Sequence, residues 1–307
     1  MNEAATRDGY GDALVRLGEG NKDIVALDGD LLDSTRSIKF AKAFPDRFFN
    51  MGISEADMVC TAAGLAYSGK IPFASSFACF MIGRAYDQAN VAIAYPNLNV
   101  KLIGSHGGIA TGEDGPTAQA LNDVAAMRVL PNFSVIVPAD YTEAVMATNA
   151  IAEHKGPVYM RTVRPKTPVI FDDGYEFKLG RAATMRDGSD VTIISTGILL
   201  SRAMDAADLL KMKGIAAGVL NVHTIKPIDK TAIVKAAKAT GRIVTCEDHS
   251  IYGGLGSAIA ELLGEEYPVT VKRIGLPGFA ESAPFSDLYK RYGLDAESIA
   301  AEISKIV

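Results

Sequence analysis

Short apolar segments alternate with helical segments along almost the whole of this 307-residue chain, and this alternation restricts the possible fold most. Strand-like segments lie at 23–30, 71–77, 99–105, 133–140 and 156–162. Segments with helical periodicity lie between them at 7–19, 55–69, 79–95, 122–130 and 142–154. Strands that alternate with helices form a mostly parallel sheet with helices on its faces. The sequence therefore predicts an α/β fold.

Helical periodicity is lost over residues 164–190, which contain two prolines and two Asp-Gly turns. The strand and helix pattern then restarts at 191. We expect a first domain over 1–170, a linker with short β pieces over 171–189, and a second domain over 190–307. Each domain is predicted to have three α/β layers, with helices on both faces of its sheet.

Composition excludes several classes of protein. The formal net charge is −5 without a run of five like charges, which argues against a nucleic-acid surface. No apolar stretch approaches the roughly 18 residues of a membrane span, and the N-terminus is too polar for a signal peptide. Cys60, Cys79 and Cys246 are odd in number and lie in apolar contexts, so they predict reduced core thiols. We expect a cytoplasmic protein.

Two acids in the stretch GISEADM, Glu55 and Asp57, occur where an apolar helix begins. An acid in the first turn of a helix is favoured by the helix dipole. A buried acid at the end of a strand can instead take part in proton transfer. The residues alone leave both interpretations open for each acid.

The segment GSHGGIATGEDGP, residues 104–116, carries five glycines together with His106 and Asp114. So many glycines cost backbone entropy, which a backbone held close to a ligand would justify. His106 and Asp114 are then expected to face a cleft. A merely flexible loop is the alternative.

Aromatic and basic residues flank this segment. Phe77 and Phe80 are spaced to share one face of a helix, where they could form core or could sandwich a flat heterocycle. Arg7 and Arg164 lie near the two ends of the first domain, and two converging arginines would suit a phosphate.

Two further motifs are assigned structural roles. The DGD sequence at 28–30 has no third oxygen ligand at motif spacing, so turn and helix-cap chemistry is favoured over metal binding. The glycines of GGLGSA at 253–258 do not complete a dinucleotide fingerprint and favour simple entry into a helix. We expect no metal site on this chain.

Taken together, these motifs resemble transketolase over essentially the whole chain. The first domain resembles the pyrimidine-binding domain through IVALDGD…DST, PDRF…GISEADM…AAGLA, SSFACF…RAYDQ, GSHGGIATGEDGPTAQALND and RTVRP. The second resembles the transketolase C-terminal domain through VLNVHTIKPID and VTCEDHSIYGGLGSAIAE.

The resemblance implies a thiamine diphosphate enzyme and a missing part. Transketolases begin with a further domain that holds the diphosphate through a metal by a GDG…N motif, and the DGD of this chain is not that motif. The chain therefore resembles the C-terminal subunit of a split, two-gene transketolase. Such a chain would require a separately encoded N-terminal subunit carrying Mg²⁺ or Ca²⁺, in an α2β2 heterotetramer, and would be inactive alone.

The resemblance also implies roles in cofactor binding. Glu55 matches the glutamate that contacts the aminopyrimidine ring and helps to activate the cofactor, while Asp57 remains a helix-start charge. Phe77 and Phe80 match the aromatic residues that pack on the pyrimidine. Arg84 is a further candidate contact, because a third aromatic residue of some relatives is replaced near this point by RAYDQ.

Substrate roles follow from the same resemblance. His106 matches a substrate-binding histidine with a catalytic role, and Asp114 matches an acid that contacts a substrate hydroxyl. Arg7, Ser34 and Arg164 match the residues that hold the phosphate of a sugar phosphate.

The implied reaction transfers a two-carbon ketol unit from a ketose phosphate to an aldose phosphate, as in the pentose phosphate pathway. Ala118 stands where relatives often have His or Gln, which leaves the sugar undefined. Four alternatives are a subunit like deoxyxylulose phosphate synthase, a subunit like the β-subunit of a 2-oxo acid dehydrogenase, a split transketolase tuned to an unusual sugar, and a non-catalytic assembly subunit. Because Arg7, Ser34 and Arg164 all match phosphate-binding residues, a phosphorylated sugar is favoured over a simple 2-oxo acid as substrate.

Overall fold

The computed structural model describes residues 2–172 and 174–307. Its strands are β1 (Glu3–Ala4), β2 (Ile24–Asp28), β3 (Phe48–Asn50), β4 (Ile71–Phe77), β5 (Lys101–Ser105), β6 (Ser134–Ile136), β7 (Val158–Arg161), β8 (Thr167–Pro168), β9 (Ala183–Arg186), β10 (Val191–Ser195), β11 (Ala217–Asn221), β12 (Thr224–Lys226), β13 (Arg242–Ser250) and β14 (Thr270–Leu276).

The α-helices are α1 (Thr6–Gly20), α2 (Leu32–Thr35), α3 (Ile38–Ala43), α4 (Glu55–Tyr67), α5 (Ala78–Gln88), α6 (Asp123–Val129), α7 (Tyr141–Glu153), α8 (Leu199–Met212), α9 (Lys230–Thr240), α10 (Leu255–Glu266), α11 (Phe285–Arg291) and α12 (Ala296–Ser304). Short 3₁₀-helices span Pro45–Arg47 and Ile109–Asp114, and a π-helical turn spans Ala89–Ala94.

The first sheet has the strand order β12-β6-β7-β5-β4-β2-β3 and is parallel except for β12. Side chains on its strands alternate between two apolar clusters, one on each face. Phe73 packs with α1 and α7, whereas its neighbour Ala74 packs with α4 and α5. This period of two places a helical layer on each side of the sheet.

The second sheet has the order β14-β13-β10-β11-β9, with β9 antiparallel at one edge and the other pairs parallel. Ile193 of β10 faces α8 and α12, and Ile194 faces α9 and α10. The prediction of two three-layer α/β domains, the first with a mostly parallel sheet, is confirmed.

Pairing between the two halves of the chain is a feature that the sequence did not reveal. Strand β12 lies beyond β11 in the chain, but it pairs antiparallel with β6 and so extends the first sheet. Strand β8 pairs with β1, and β9, from the segment predicted as a linker, forms the edge of the second sheet. Of these three pairings, the one between β12 and β6 joins the second domain to the first; β1 and β8 both lie in the first domain, and β9 pairs with β11 of the second.

Two local expectations differ from the structure. The helix predicted over 79–95 is α5 followed by the π-helical turn, with a break at Ala85 where φ is −128°. Cys246 is buried and Cys79 half-buried, but Cys60 is exposed, so the prediction of a core thiol is wrong there; all three are free. No helix within the described ranges is long and apolar enough to cross a membrane.

Candidate functional site

The candidate residues gather at the edge of the first sheet where its parallel strands end. Ser34 follows β2, Glu55 follows β3, Phe77 ends β4 and His106 follows β5. Carboxyl ends of parallel strands meet at one edge of a sheet, so residues far apart in the sequence become neighbours there. Two groups result, one around Glu55 and one around His106.

Glu55 begins α4 and turns its carboxylate inward, leaving the residue only 2% exposed. Its Oε1 accepts a hydrogen bond from Ser76 Oγ at 3.2 Å. Arg84 Nη1 lies 3.0 Å from each of its carboxylate oxygens. Asp57, two residues further along the helix, is exposed. The two acids of this turn therefore have different surroundings.

A row of stacked rings runs from Arg84 to His106. The guanidinium of Arg84 lies 4.1 Å above the centre of the Phe80 ring. Phe80 and Phe77 stack with centroids 5.5 Å apart and planes at 14°. Phe77 in turn stacks on the His106 imidazole at 3.9 Å. The row joins the Glu55 carboxylate to the second group of residues.

That second group lines a cleft of about 360 Å³, which we call the arginine cleft. Its lining residues are Arg7, Asp33, Ser34, Arg36, His106, Asp114 and Arg164. The five residues expected to bind substrate thus line one cavity, although they come from four separate segments of the first domain. Asp33 and Arg36 were not expected, although both adjoin Ser34 in the sequence.

Arg7 and Arg36 are held in different ways. Arg7 Nη1 donates to the Ser34 carbonyl oxygen at 3.0 Å, and Arg36 Nε donates to Asp8 Oδ1 at 2.6 Å. In the part of the chain that the structure describes, Arg7 Nε is buried without a hydrogen-bond partner. Burial, followed by repulsion from Arg36 and Arg164, lowers the pKa of Arg7. An anion in the cleft would give Arg7 Nε an acceptor and would offset the repulsion between the arginines.

Arg164 and Asp114 form an ion pair at the mouth of the cleft. Arg164 Nη1 donates to Asp114 Oδ1 at 3.0 Å, and both side chains are about two-fifths exposed, at 41% and 39%. The pair is open to solvent, so a bound ligand can reach both charged groups.

Asp28 organises the loop that brings Ser34 and Arg36 to the cleft. Its Oδ1 accepts from the Leu31 amide at 2.6 Å, and its Oδ2 accepts from the hydroxyls of Thr35 and Ser37. Burial raises the pKa of Asp28 to about 6. This acid of the DGD sequence therefore supports a turn, and the described residues contain no group of three His, Cys, Asp or Glu that could hold a metal ion.

His106 is buried between the rings and the arginines. It has a left-handed backbone, with φ of 61°, and its Nδ1 lies 2.9 Å from Ser105 Oγ. Burial lowers the pKa of His106 to about 3, and the charges of Arg7, Arg164 and Arg36 act in the same direction. The imidazole is therefore neutral near pH 7, and it can serve a ligand as a hydrogen-bonding group but not as a cation.

Comparison with known proteins assigns this chain to a family. The family model for the transketolase pyrimidine binding domain matches residues 2–169, and that for the transketolase C-terminal domain matches residues 180–299. The chain belongs to the transketolase family.

Similar proteins cover nearly the same length. A putative transketolase C-terminal section of Methanocaldococcus jannaschii is 46% identical over 97% of this chain and 94% of its own. A 6-deoxy-6-sulfo-D-fructose transketolase subunit of Clostridium sp. is 42% identical over 97% of this chain and 93% of its own. A solved structure described as a split gene transketolase, inactive beta4 tetramer, aligns with a TM-score of 0.90 at 46% identity, covering 99% of this chain and 98% of that one.

Proposed function

We propose that this chain is the C-terminal subunit of a split transketolase that transfers a two-carbon ketol unit from a ketose phosphate to an aldose phosphate. One observation carries the proposal: a buried carboxylate and an arginine-lined cleft are joined by a single row of stacked rings. The carboxylate suits the aminopyrimidine of thiamine diphosphate, and the cleft suits the anionic end of a sugar.

The residues around Glu55 fit the pyrimidine end of the cofactor. When bound, thiamine diphosphate supplies the electron sink for breaking and forming the carbon–carbon bond. Glu55 would hold or transfer a proton at the pyrimidine ring nitrogen, since its buried carboxylate is already directed toward hydrogen-bond donors. Phe77 and Phe80 offer the ring a flat apolar surface. Arg84, which contacts Glu55 and lies over the Phe80 ring, is the most exposed of these groups.

A second subunit is proposed to hold the diphosphate with Mg²⁺ or Ca²⁺. Relatives of nearly the same length support this arrangement, because one is named a C-terminal section and another a subunit. A similar solved chain is described as an inactive tetramer of β chains. We therefore expect this chain to be inactive alone and to work in an α2β2 heterotetramer with an N-terminal subunit.

The charges of the arginine cleft favour a sugar phosphate as substrate. Arg7, Arg36 and Arg164 present three guanidinium groups, against the two acids Asp33 and Asp114. A dianionic phosphate gains more from such a cluster than a singly charged sulfonate does. The Clostridium relative is named for a sulfonated sugar, so the two anions must be compared directly.

Each cleft residue has a defined task in this proposal. Arg7, Ser34 and Arg164 bind the phosphate through charge-assisted hydrogen bonds. Neutral His106 hydrogen-bonds the substrate near the reacting carbon. Asp114, oriented by Arg164, accepts a hydrogen bond from a sugar hydroxyl.

Reconstitution tests the proposal. The chain, the N-terminal subunit and their mixture are each assayed with thiamine diphosphate, Mg²⁺, xylulose 5-phosphate and an aldose phosphate. We expect ketol transfer by the mixture only. Transfer by this chain alone would contradict the need for a partner, and a mixture that forms a complex but transfers nothing from phosphorylated ketoses would contradict the assigned reaction.

A second arm compares fructose 6-phosphate with 6-deoxy-6-sulfofructose as donors. The expected result is a higher kcat/KM for the phosphate. A clear preference for the sulfonate would keep the transketolase assignment and overturn the choice of phosphate.

A further inference from the structure

We infer that Asp248, in the C-terminal domain, is a positioning residue that fixes the segment bearing His106 and Asp114 in its working conformation. This segment, residues 106–115, is called the glycine loop below. The inference rests on the proposed function only for its effect on substrate binding. It gives the C-terminal domain, which contributes no residue to the lining of the arginine cleft, a part in shaping that cleft.

The Asp248 carboxylate accepts three hydrogen bonds, two of which come from the glycine loop. Asp248 is buried near the end of β13. Its Oδ1 accepts from the Ile109 amide at 2.9 Å, and its Oδ2 accepts from the Ala110 amide at 3.1 Å and the Tyr289 hydroxyl at 2.9 Å. Without Asp248, two consecutive buried amides would have no acceptor, which is costly in a protein interior.

The backbone of the glycine loop is shaped to meet this carboxylate. Gly108 has φ of 76°, a left-handed conformation that favours glycine. A Cβ atom at Gly108 would collide with the Asp248 carboxylate. A glycine is therefore required here both by the backbone conformation and by the approach of an acid from the other domain.

Further hydrogen bonds hold Asp248 on one side of this contact and the glycine loop on the other. Arg161 Nη1 donates to the Asp248 carbonyl oxygen at 2.7 Å, and Arg161 Nη2 donates to the Ala120 carbonyl oxygen at 2.6 Å. Within the loop, Thr111 Oγ1 donates to the carbonyl oxygen of His106 at 2.7 Å. A displacement at Ile109 and Ala110 would therefore pass directly to His106.

The C-terminal domain backs the far end of the glycine loop as well. Ser282 Oγ donates to the Glu113 carbonyl oxygen at 2.6 Å, next to Asp114. The side of the loop that bears His106 and Asp114 faces the arginine cleft, while its backbone is tied to the second domain. Of these ties, the one at Asp248 is buried and charged, so it is expected to dominate.

The alternative is that Asp248 stabilises only its own domain, and its neighbour Glu247 provides a matched control for that role. Glu247 is also buried on β13 and also accepts from two consecutive amides, those of Leu255 at 2.7 Å and Gly256 at 2.8 Å. Those amides begin α10, within the C-terminal domain. Glu247→Gln therefore disturbs the same strand in the same way without touching the glycine loop.

Hydrogen–deuterium exchange of the full chain tests the positioning directly. In Asp248→Asn an NH₂ group replaces one carboxylate oxygen. It cannot accept a hydrogen bond from the loop amide that faces it, so one of the two hydrogen bonds to Ile109 and Ala110 is lost. We expect loop amides to exchange about tenfold faster or more, since a hydrogen bond to a charged group is lost. Glu247→Gln is expected to leave loop exchange unchanged. Unchanged loop exchange in Asp248→Asn, or an equal increase in both variants, would overturn the inference.

Kinetics of the assembled complex separates positioning from stability. We expect Asp248→Asn to raise the KM of the donor sugar phosphate by about tenfold with a smaller change in kcat, because an orienting contact is lost. Wild-type KM in a variant whose loop exchange is faster would overturn the inference. If the wild-type complex transfers no ketol unit, the proposed function fails, while the exchange experiment still decides whether Asp248 fixes the loop.

Should Asp248→Asn not fold, Tyr289→Phe gives a milder change. It removes one donor from Asp248 and leaves both loop amides paired. Asp248 Oδ2 then loses the hydroxyl that holds it beside the Ala110 amide, so we expect loop exchange to rise by a smaller factor than in Asp248→Asn. Loop exchange at the wild-type rate would overturn the inference.

Discussion

Replacing Arg164 by Ala should weaken the binding of phosphorylated sugars with little effect on the chemical step. Arg164 lies at the mouth of the arginine cleft and pairs with Asp114 at 3.0 Å. The substitution removes one guanidinium and leaves the Asp114 carboxylate without its partner. It should leave the Arg7 contact with Ser34, and hence the wall of the cleft, intact.

The size of the effect follows from the exposure of the side chain. A hydrogen bond to a charged group contributes about 1.5–3 kcal/mol. Because the Arg164 side chain is 41% exposed, solvent screens its charge and the lower end of that range applies. About 1.5 kcal/mol corresponds to roughly a tenfold rise in the KM of xylulose 5-phosphate. The KM of unphosphorylated xylulose should rise by a smaller factor, since it loses no phosphate contact and is affected only through the orientation of Asp114.

The assay measures kcat and KM for both donors in the assembled complex. Arg186→Ala is a suitable control, because Arg186 pairs with Asp208 in the second domain, away from the cleft. Equal rises in KM for the phosphorylated and unphosphorylated donors, or a fall in kcat alone, would refute the assignment of Arg164 to the phosphate.

Two buried groups outside the cleft give further predictions. Glu143 accepts hydrogen bonds from Tyr175 and Asn221, and burial raises its pKa from 4.5 to about 8. Its contribution to stability is therefore fully present below pH 4.5 and is lost as the pH rises toward 8, so the wild-type free energy of unfolding, relative to that of Glu143→Gln, should fall by up to about 1.4 kcal/mol per pH unit between pH 5 and 8. A pH-independent difference in urea titrations would contradict this. The buried Lys101 side chain donates to Asn99 Oδ1 and to the carbonyl oxygens of His154 and Gly156. Lys101→Met leaves these three acceptors unpaired and should lower the free energy of unfolding by about 3 kcal/mol or more in the same urea titrations. A decrease below about 1 kcal/mol would show that these contacts contribute little net stability.

The arrangement of the cleft was largely accessible from the sequence, because it follows from parallel strands. Strand β4 spans 71–77 as predicted, and β5 ends at Ser105, directly before the glycine loop. Once these strands are placed side by side, Phe77 and His106 must be neighbours. The roles given to Glu55 and to the cleft residues came from the family resemblance and stay predictions until tested.

The separation of Glu55 from Asp57 has a simple geometric origin. Residues two apart in an α-helix point about 200° away from each other, so only one of them can face the sheet. Glu55 is in register with the buried residues Met58, Val59 and Ala62, and Asp57 is not. Helical periodicity therefore identifies which acid is buried, although it does not identify what the acid contacts.

Contacts between the two domains could not be predicted in the same way. The pairing of β12 with β6 and the approach of Asp248 to Ile109 join segments more than 80 residues apart. Neither leaves a periodic signal, because each depends on how two complete domains pack. Arg36 was missed for a local reason: its left-handed φ of 70°, which directs the chain at the end of α2, is unusual for a residue other than glycine.

Deuterium exchange at C2 of bound thiamine diphosphate is the most direct test of the central claim, that Glu55 activates a cofactor whose diphosphate is held by a second subunit. The exchange rate is measured in complexes containing wild-type chain, Glu55→Gln or Asp57→Asn, each shown to bind the cofactor. A general acid–base contribution predicts a rate lower by about 10²–10⁴-fold for Glu55→Gln and a wild-type rate for Asp57→Asn. A wild-type rate in Glu55→Gln would contradict the account.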